Sequence, residues 1–241
     1  MVSRATTWRY SLANDKGGSV FVPPAHALIG WAIAHVIRTP DRPTRLWCVL
    51  AAVVADFDSL GLLFGWSTYE RYHHVLLHNL TFGVAVTLVS VAWIGLRPVS
   101  VTLVFASFVS HLVGDYFGSG AGWGISPFLP FSNVEYVYTM VPRDVLLPNI
   151  VANVGVIVLT LVIAVRTGRT PLEFVHAGTE RLVVDAIQLR AGRVACAICG
   201  TGASVRCTSC SRPLCATHAT SAVRWQPRCT TCEVGTSQVF A

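Results

Sequence analysis

Eight residues in the first half of the chain are of the types that bind and use a metal ion. His26, Asp56, Asp58, His73, His74, His78, His111 and Asp115 fall within or beside strongly apolar runs. A charged side chain in such a run costs about 3 kcal/mol or more unless something holds it there. His111 and Asp115 are spaced i, i+4 and project from one face of a helix, and His74 and His78 share that spacing. Asp56 and Asp58 are two apart and nearly opposed on a regular helix. Either the helix changes its winding there, or one carboxylate binds a metal while the other supports it from behind. Mixed imidazole and carboxylate donors suit zinc or another divalent first-row ion better than calcium. The set exceeds the ligands of a single catalytic ion, so one or two ions fit. The chemistry would be metal-assisted hydrolysis, with the pKa of bound water brought toward ~7 and the bond under attack polarised. Asp58 or Asp56 would act as general base. The alternative is a set of helix-end residues wetted by lipid headgroups. His35 and His176 lie away from the set, and no Gly-x-Ser-x-Gly elbow supports a serine nucleophile.

A second constellation lies near the C-terminal end. Cys196-x2-Cys199, Cys207-x2-Cys210, Cys215-x2-His218 and Cys229-x2-Cys232 form four knuckles, separated by seven, four and ten residues. Each x2 spacing places two soft donors a tetrahedral edge apart, so eight ligands bind two structural zinc ions. A disulfide framework fails on count, because seven cysteines cannot all pair. The order of the pairs resembles cross-brace zinc modules of the RING and FYVE type. That resemblance implies Cys196, Cys199, Cys215 and His218 on one ion and Cys207, Cys210, Cys229 and Cys232 on the other. Sequential pairing, as in tandem ribbons, is the alternative. With every ligand used in structure, the module is expected to bind a protein partner or stiffen the tail. Cys48 stands alone and reads as a small buried apolar residue.

The elements that must position these residues are membrane helices. Of 241 residues, 53% are hydrophobic and only 12% charged, with a mean hydropathy of +0.56. That is too little polar surface for a soluble globule of this size. The reading is an all-α polytopic membrane bundle of about five helices with a small zinc-binding domain. The helices are placed at 20–37, 46–64, 75–96, 99–117 and 145–165, and only Arg97-Pro98 separates the third from the fourth. The domains are then a flexible leader at 1–19, with no signal-peptide cleavage pattern, the membrane domain at 20–166, an amphipathic linker helix at 167–194 and the zinc module at 195–234. The linker pattern runs through Leu172, Val175, Leu182, Val183, Ile187 and Leu189.

The net charge of +6 is carried almost wholly by arginine. Arg38, Arg42, Arg45, Arg97, Arg166 and Arg169 fall on one side of five alternating crossings, which the positive-inside rule makes cytoplasmic, together with the tail. The leader's Arg4, Arg9 and Lys16 then lie outside, and three agreeing clusters outweigh them. The charge is therefore topology information and not a nucleic-acid surface, despite Arg206, Arg212, Arg224 and Arg228 in the tail. The His/Asp set falls at the extracytoplasmic ends. The aromatic segment 118–143, with Trp123, Phe128, Phe131, Tyr136 and Tyr138, is either a lid over that set or an interfacial connection.

The succession Ala25-His26, Ala55-Asp56-Phe57-Asp58, His73-His74-Val75-Leu76-Leu77-His78-Asn79, Ser110-His111-Leu112-Val113-Gly114-Asp115 and Pro127-Phe128-Leu129-Pro130-Phe131-Ser132 resembles the YdjM-like family of membrane-bound, metal-dependent hydrolases over about residues 22–165. In that family a proline usually precedes the aspartate pair, where Ala55 stands here. Arginine and glycine usually follow the first histidine, where His74 and Val75 stand here. The resemblance implies ligand roles for His73 and His78, five residues apart as in the family, and leaves His74 unassigned.

These observations together lead to an expected hydrolase of a lipid or lipid-linked ester or phosphoester at the outer membrane face. One alternative is a catalytically silent anchor presenting the zinc module. Another is a metal transporter, which would stack its ligands through the membrane depth.

Overall fold

A computed structural model describes residues 23–37, 41–118, 124–138, 146–220, 227–230 and 232. The chain is helical, with a small cysteine-rich region at its C-terminal end. The helices are α1 (Pro23–Ala34), α2 (Arg42–Val53), α3 (Trp66–Tyr72), α4 (Leu80–Ile94), α5 (Pro98–Gly118), α6 (Leu146–Thr167) and α7 (Ala177–Arg190). A 310 segment, Val54–Phe64, continues α2, and a second, Pro171–Phe174, follows α6. Among the described residues, three stretches are long and apolar enough to cross a membrane: Arg42–Phe64, Pro98–Gly118 and Ile150–Thr167. Pro24–Ala34 and Leu80–Ile94 are apolar but shorter. The expected third helix therefore loses its first turn. His74 has a φ of +66°, which no regular helix accommodates, and residues 73–79 serve another purpose described below. The leader and the first residues of the expected 20–37 helix lie outside the described residues.

By its contacts the chain forms two compact units, Met1–Gly30 with Trp47–Asn153, and Trp31–Leu46 with Val154–Ala241. In the first unit α1 and α2 meet at Gly30. A Cβ there would lie 2.5 Å from the Cys48 carbonyl oxygen and 2.6 Å from the Ala52 Cβ, so only glycine allows the approach. Cys48, Ala51, Ala52 and Ala55 are fully buried. The α4–α5 hairpin turns at Gly95, whose φ is +70°. It closes on Gly83, where a Cβ would meet the Phe108 ring at 2.4 Å.

In the second unit the C-terminal carbonyls of α6 find their partner on α7. Gln188 Nε2 donates to Ala164 O and Val165 O at 3.1 and 3.0 Å, satisfying groups that a helix end leaves open. The expected linker helix is interrupted after Phe174, and His176 caps α7 by accepting from the Thr179 N–H. Glu173, in the 310 segment before the interruption, receives a bidentate pair from Arg45, Nε to Oε1 at 2.8 Å and Nη2 to Oε2 at 2.5 Å. The Trp31 indole N–H reaches the same Oε1 at 3.2 Å, and Arg42 donates to the Glu173 carbonyl at 3.0 Å. This clasp places Trp31–Leu46 with the C-terminal half.

Burial pushes the Glu173 carboxyl up, but hydrogen bonds from Arg45 and Trp31 outweigh it and hold the group below its ordinary value. The clasp therefore contributes fully above an unfolded glutamate's ~4.3 and is lost as pH falls through the native value. Arg45 is only 3% exposed, so Glu173→Ala removes the bidentate partner of a buried guanidinium and should destabilise by about 3 kcal/mol. The thermal midpoints of wild type and variant in detergent should differ at pH 7 and converge as pH falls through the native value.

Candidate metal centre

The 310 segment after α2 solves the problem of Asp56 and Asp58. Its tighter winding lets the two carboxylates serve different jobs in one place. Asp58 is buried and accepts three hydrogen bonds. His73 Nδ1 lies 2.7 Å from Oδ1, His78 Nδ1 lies 2.9 Å from Oδ2, and the His74 backbone N–H donates to Oδ2 at 3.1 Å. Residues 73–79 thus wrap a carboxylate instead of forming a helical turn, and His74 and His78 are not stacked on one helix face. Asn79 then starts α4, its side chain accepting from the Phe82 N–H at 2.9 Å.

A carboxylate only accepts, so Nδ1 of His78 carries the proton and its Nε2 presents a lone pair. His111 is fixed in the same way. Its Nδ1 lies 2.7 Å from the Ala52 carbonyl oxygen, and its Nε2 lone pair faces His78 Nε2 at 3.0 Å. Asp115 Oδ2 lies 3.0 Å from His111 Nε2 and 3.1 Å from His78 Nε2. Three electron-rich atoms at mutual distances of 3.0–3.1 Å repel unless a proton or a cation sits among them. With metal–ligand bonds of about 2.0–2.1 Å the edge of a tetrahedral site is about 3.3 Å, close to these separations. Asp56 Oδ1 stands 3.7 Å from His111 Nε2 and 3.9 Å from His78 Nε2. The buried Asp56 Oδ2 has no hydrogen-bond partner among the described residues. His26 Nε2 approaches the other oxygen of Asp115 at 3.4 Å, and its ring lies 4.0 Å from that of His111.

Three overlapping groups follow, each with donor atoms within 4.8 Å of one another: His26, His111 and Asp115; Asp56, His78 and His111; and His74, His78 and Asp115. Side chains from α1, the 310 segment, the 73–79 loop and α5 meet in one place. His73 and Asp58, both named from the sequence, stand in none of the groups. Asp58 spends its oxygens on orienting donors, and His73 is held by it and stacked on Tyr69 at 4.5 Å. His74 does stand in one group; nothing in the sequence beyond its adjacency to His73 signals this. The described part of the 118–143 segment is pinned against the start of α4. Pro127 O accepts from the Leu80 N–H at 2.8 Å, and Leu129 O accepts from Thr81 Oγ1 at 2.7 Å. Trp123 lies outside the described residues.

In the tail the donors of Cys196, Cys199, Cys215 and His218 form one group, and those of Cys207, Cys210, Cys229 and Cys232 another. First pairs with third and second with fourth, as in a cross-brace. Sulfur separations of 3.6 Å (Cys199–Cys215) and 3.7 Å (Cys210–Cys229) are far beyond a disulfide's ~2.05 Å. They match the edge of about 3.8 Å expected for four thiolates at 2.3 Å from zinc. A bond from Thr217 leads those that pull the Cys215 thiol down to about 5, and backbone hydrogen bonds led by Cys210 pull Cys207 down to about 6. Neighbouring thiols, Cys229 first, push Cys232 up to about 12. Four sulfur donors at these separations fit a zinc ion. The strands β1 (Val205–Arg206) and β2 (Pro213–Leu214) pair antiparallel and bury Leu214 against Cys207 and Cys229.

Residues 22–185 match the family described as YdjM inner membrane protein. The chain belongs to that family. The match runs past the expected limit of residue 165, taking in Glu173 and most of α7, and stops before the first knuckle. In YdjM terms, the membrane helices, the His/Asp cluster and the Arg45–Glu173 clasp form the family region, and the zinc module follows it. No curated protein and no solved structure matches the chain.

Asp58 touches the metal groups only through His78 and the 73–74 backbone. Asp58→Ala is expected to weaken metal retention by the membrane region about 10- to 100-fold, measured by chelator competition on purified protein. Cys207→Ser should cost the tail one of two zinc ions, counted by elemental analysis.

Proposed function

We propose that this protein is a membrane-bound, metal-dependent hydrolase acting on a lipid or lipid-linked ester or phosphoester at the extracytoplasmic face, with its tail in the cytoplasm. The observation that carries the reading is the triangle of His78 Nε2, His111 Nε2 and Asp115 Oδ2 at 3.0–3.1 Å, with both imidazoles locked by proton acceptors on their far sides. His78, His111 and Asp115 hold one divalent ion, zinc by donor type, and Asp56, His26 and His74 complete it or hold a second. Such an ion supplies Lewis acidity to the bond under attack. Asp56 Oδ2, without a hydrogen-bond partner among the described residues, takes the proton of the attacking water. Asp58 is a positioning residue in this scheme, because its two oxygens already receive three donors.

The site's placement beside apolar spans supports a lipidic substrate, and the arginine clusters opposite it support the outer face. Ligands gathered in a single layer and shared between groups favour hydrolysis over ion transport, which needs sites along the membrane depth. The zinc module, with all eight donors used, acts in this reading as a docking or regulatory element.

Removing the tail after Arg193 preserves the Glu173 clasp, which a cut at Thr170 would destroy. Metal analysis of that truncation should show two zinc ions lost and at least one divalent ion kept. His111→Ala in the full chain should release the retained ion and abolish hydrolysis of phospholipid vesicles. Asp56→Asn should keep the metal and lower turnover by about 10²-fold or more. A tail-less protein that folds but holds no metal, or full hydrolysis by His111→Ala, removes the case for this site, and a wild type that binds partners through its tail but hydrolyses nothing would favour the anchor reading.

A further inference from the structure

The second unit contains an open cavity of about 650 Å³ whose walls carry Arg42, Arg45, Arg169 and Arg181. Its place in the chain puts it at the ends of two candidate membrane spans. Arg42 and Arg45 lie in the first turn of α2, where the span Arg42–Phe64 begins, and Arg169 follows Thr167, where the span Ile150–Thr167 ends. Arginines at the ends of two spans sit at the depth of lipid phosphates.

The acids in the wall do not neutralise all of this charge. Glu173 is taken by Arg45 and Trp31. Glu180 accepts from the Thr170 N–H at 2.7 Å and from its hydroxyl. Asp41 caps α2 by accepting from the Thr44 N–H at 3.0 Å. Arg169 and Arg181, by contrast, are exposed. Neither makes a hydrogen bond or ion pair among the described residues, Arg169 acting on Glu173 only at longer range, although both line the cavity. The first residue of α7, Ala177, also lines it, and so adds the partial positive charge of a helix N-terminus.

We propose that this cavity binds the phosphate group of an anionic phospholipid, with Arg169 and Arg181 as its direct contacts. The Arg45–Glu173 clasp lies in the same wall and keeps Glu173 occupied. Guanidinium forks match phosphate oxygens in pairs, and a basic pocket between helix ends is the form that headgroup sites take. Binding would fasten the C-terminal half to the membrane surface without using the metal centre.

Full-length protein in detergent would be titrated separately with phosphatidylglycerol, phosphatidylcholine and inorganic phosphate, with bound ligand read by native mass spectrometry and by the thermal midpoint. Phosphatidylglycerol is expected to bind in preference to phosphatidylcholine, and R169A/R181A to weaken it about tenfold or more. The control R190A/R212A removes two exposed arginines outside the cavity and should bind as wild type does. Inorganic phosphate binding that is lost in R169A/R181A, without a preference for phosphatidylglycerol, would keep the phosphate site and overturn its lipid source. Phosphatidylglycerol binding unchanged in R169A/R181A, with both variants folded, overturns the proposal. None of these readouts involves metal or hydrolysis, so they separate this inference from the proposed activity.

Discussion

A buried carboxylate must be given hydrogen bonds by its own protein, and Asp58 meets that requirement in a way that fixes everything around it. Three donors reach it from residues 73, 74 and 78, and no continuous helix brings those three to one point. The chain is therefore bent out of helical geometry at His74 and resumes as α4 only at Leu80. The bend sets which nitrogen of His78 is protonated, and so aims its Nε2 at His111 and Asp115. The same bend leaves the N–H groups at the start of α4 to be satisfied by Asn79 and by the carbonyl of Pro127. In this way the Pro127 segment becomes part of the scaffold.

The rest of the molecule follows the same constraint on other groups. Arg45 is buried because Glu173, 128 residues away, offers both oxygens. The carbonyls ending α6 are buried because Gln188 covers them. The tail's cysteines crowd together on the expectation of a cation. The donors of His78, His111 and Asp115 differ, since three electron-rich atoms stand 3.0–3.1 Å apart there. Inconsistency of that kind, local and surrounded by satisfied groups, is what a ligand site looks like in a fold.

Part of this was legible in the residues. Apolar runs and x2 knuckles announced a membrane bundle with two four-donor groups in its tail. The order of the His and Asp motifs announced one polar cluster drawn from several segments. The ends of elements were less legible. The run 75–96 looks like one helix because Val75, Leu76 and Leu77 are apolar, and hydropathy does not register that neighbouring backbone is needed elsewhere. His73 took the ligand role by its distance from His78 along the chain, while His74 joins the donor group in space.

Composition and short-range spacing by themselves determined the solvent this chain folds in, the number of its candidate metal-binding regions and most of the donors in them, because hydropathy and knuckle geometry are local properties. The tertiary structure alone decided which donors face one another, that Asp58 orients His78, that the knuckles interleave, and that Arg45 and Glu173 belong together. Each of those is a pairing between groups distant in the chain. Such pairings are selected by the cost of leaving either partner buried alone, a quantity that exists only once the chain has closed around them.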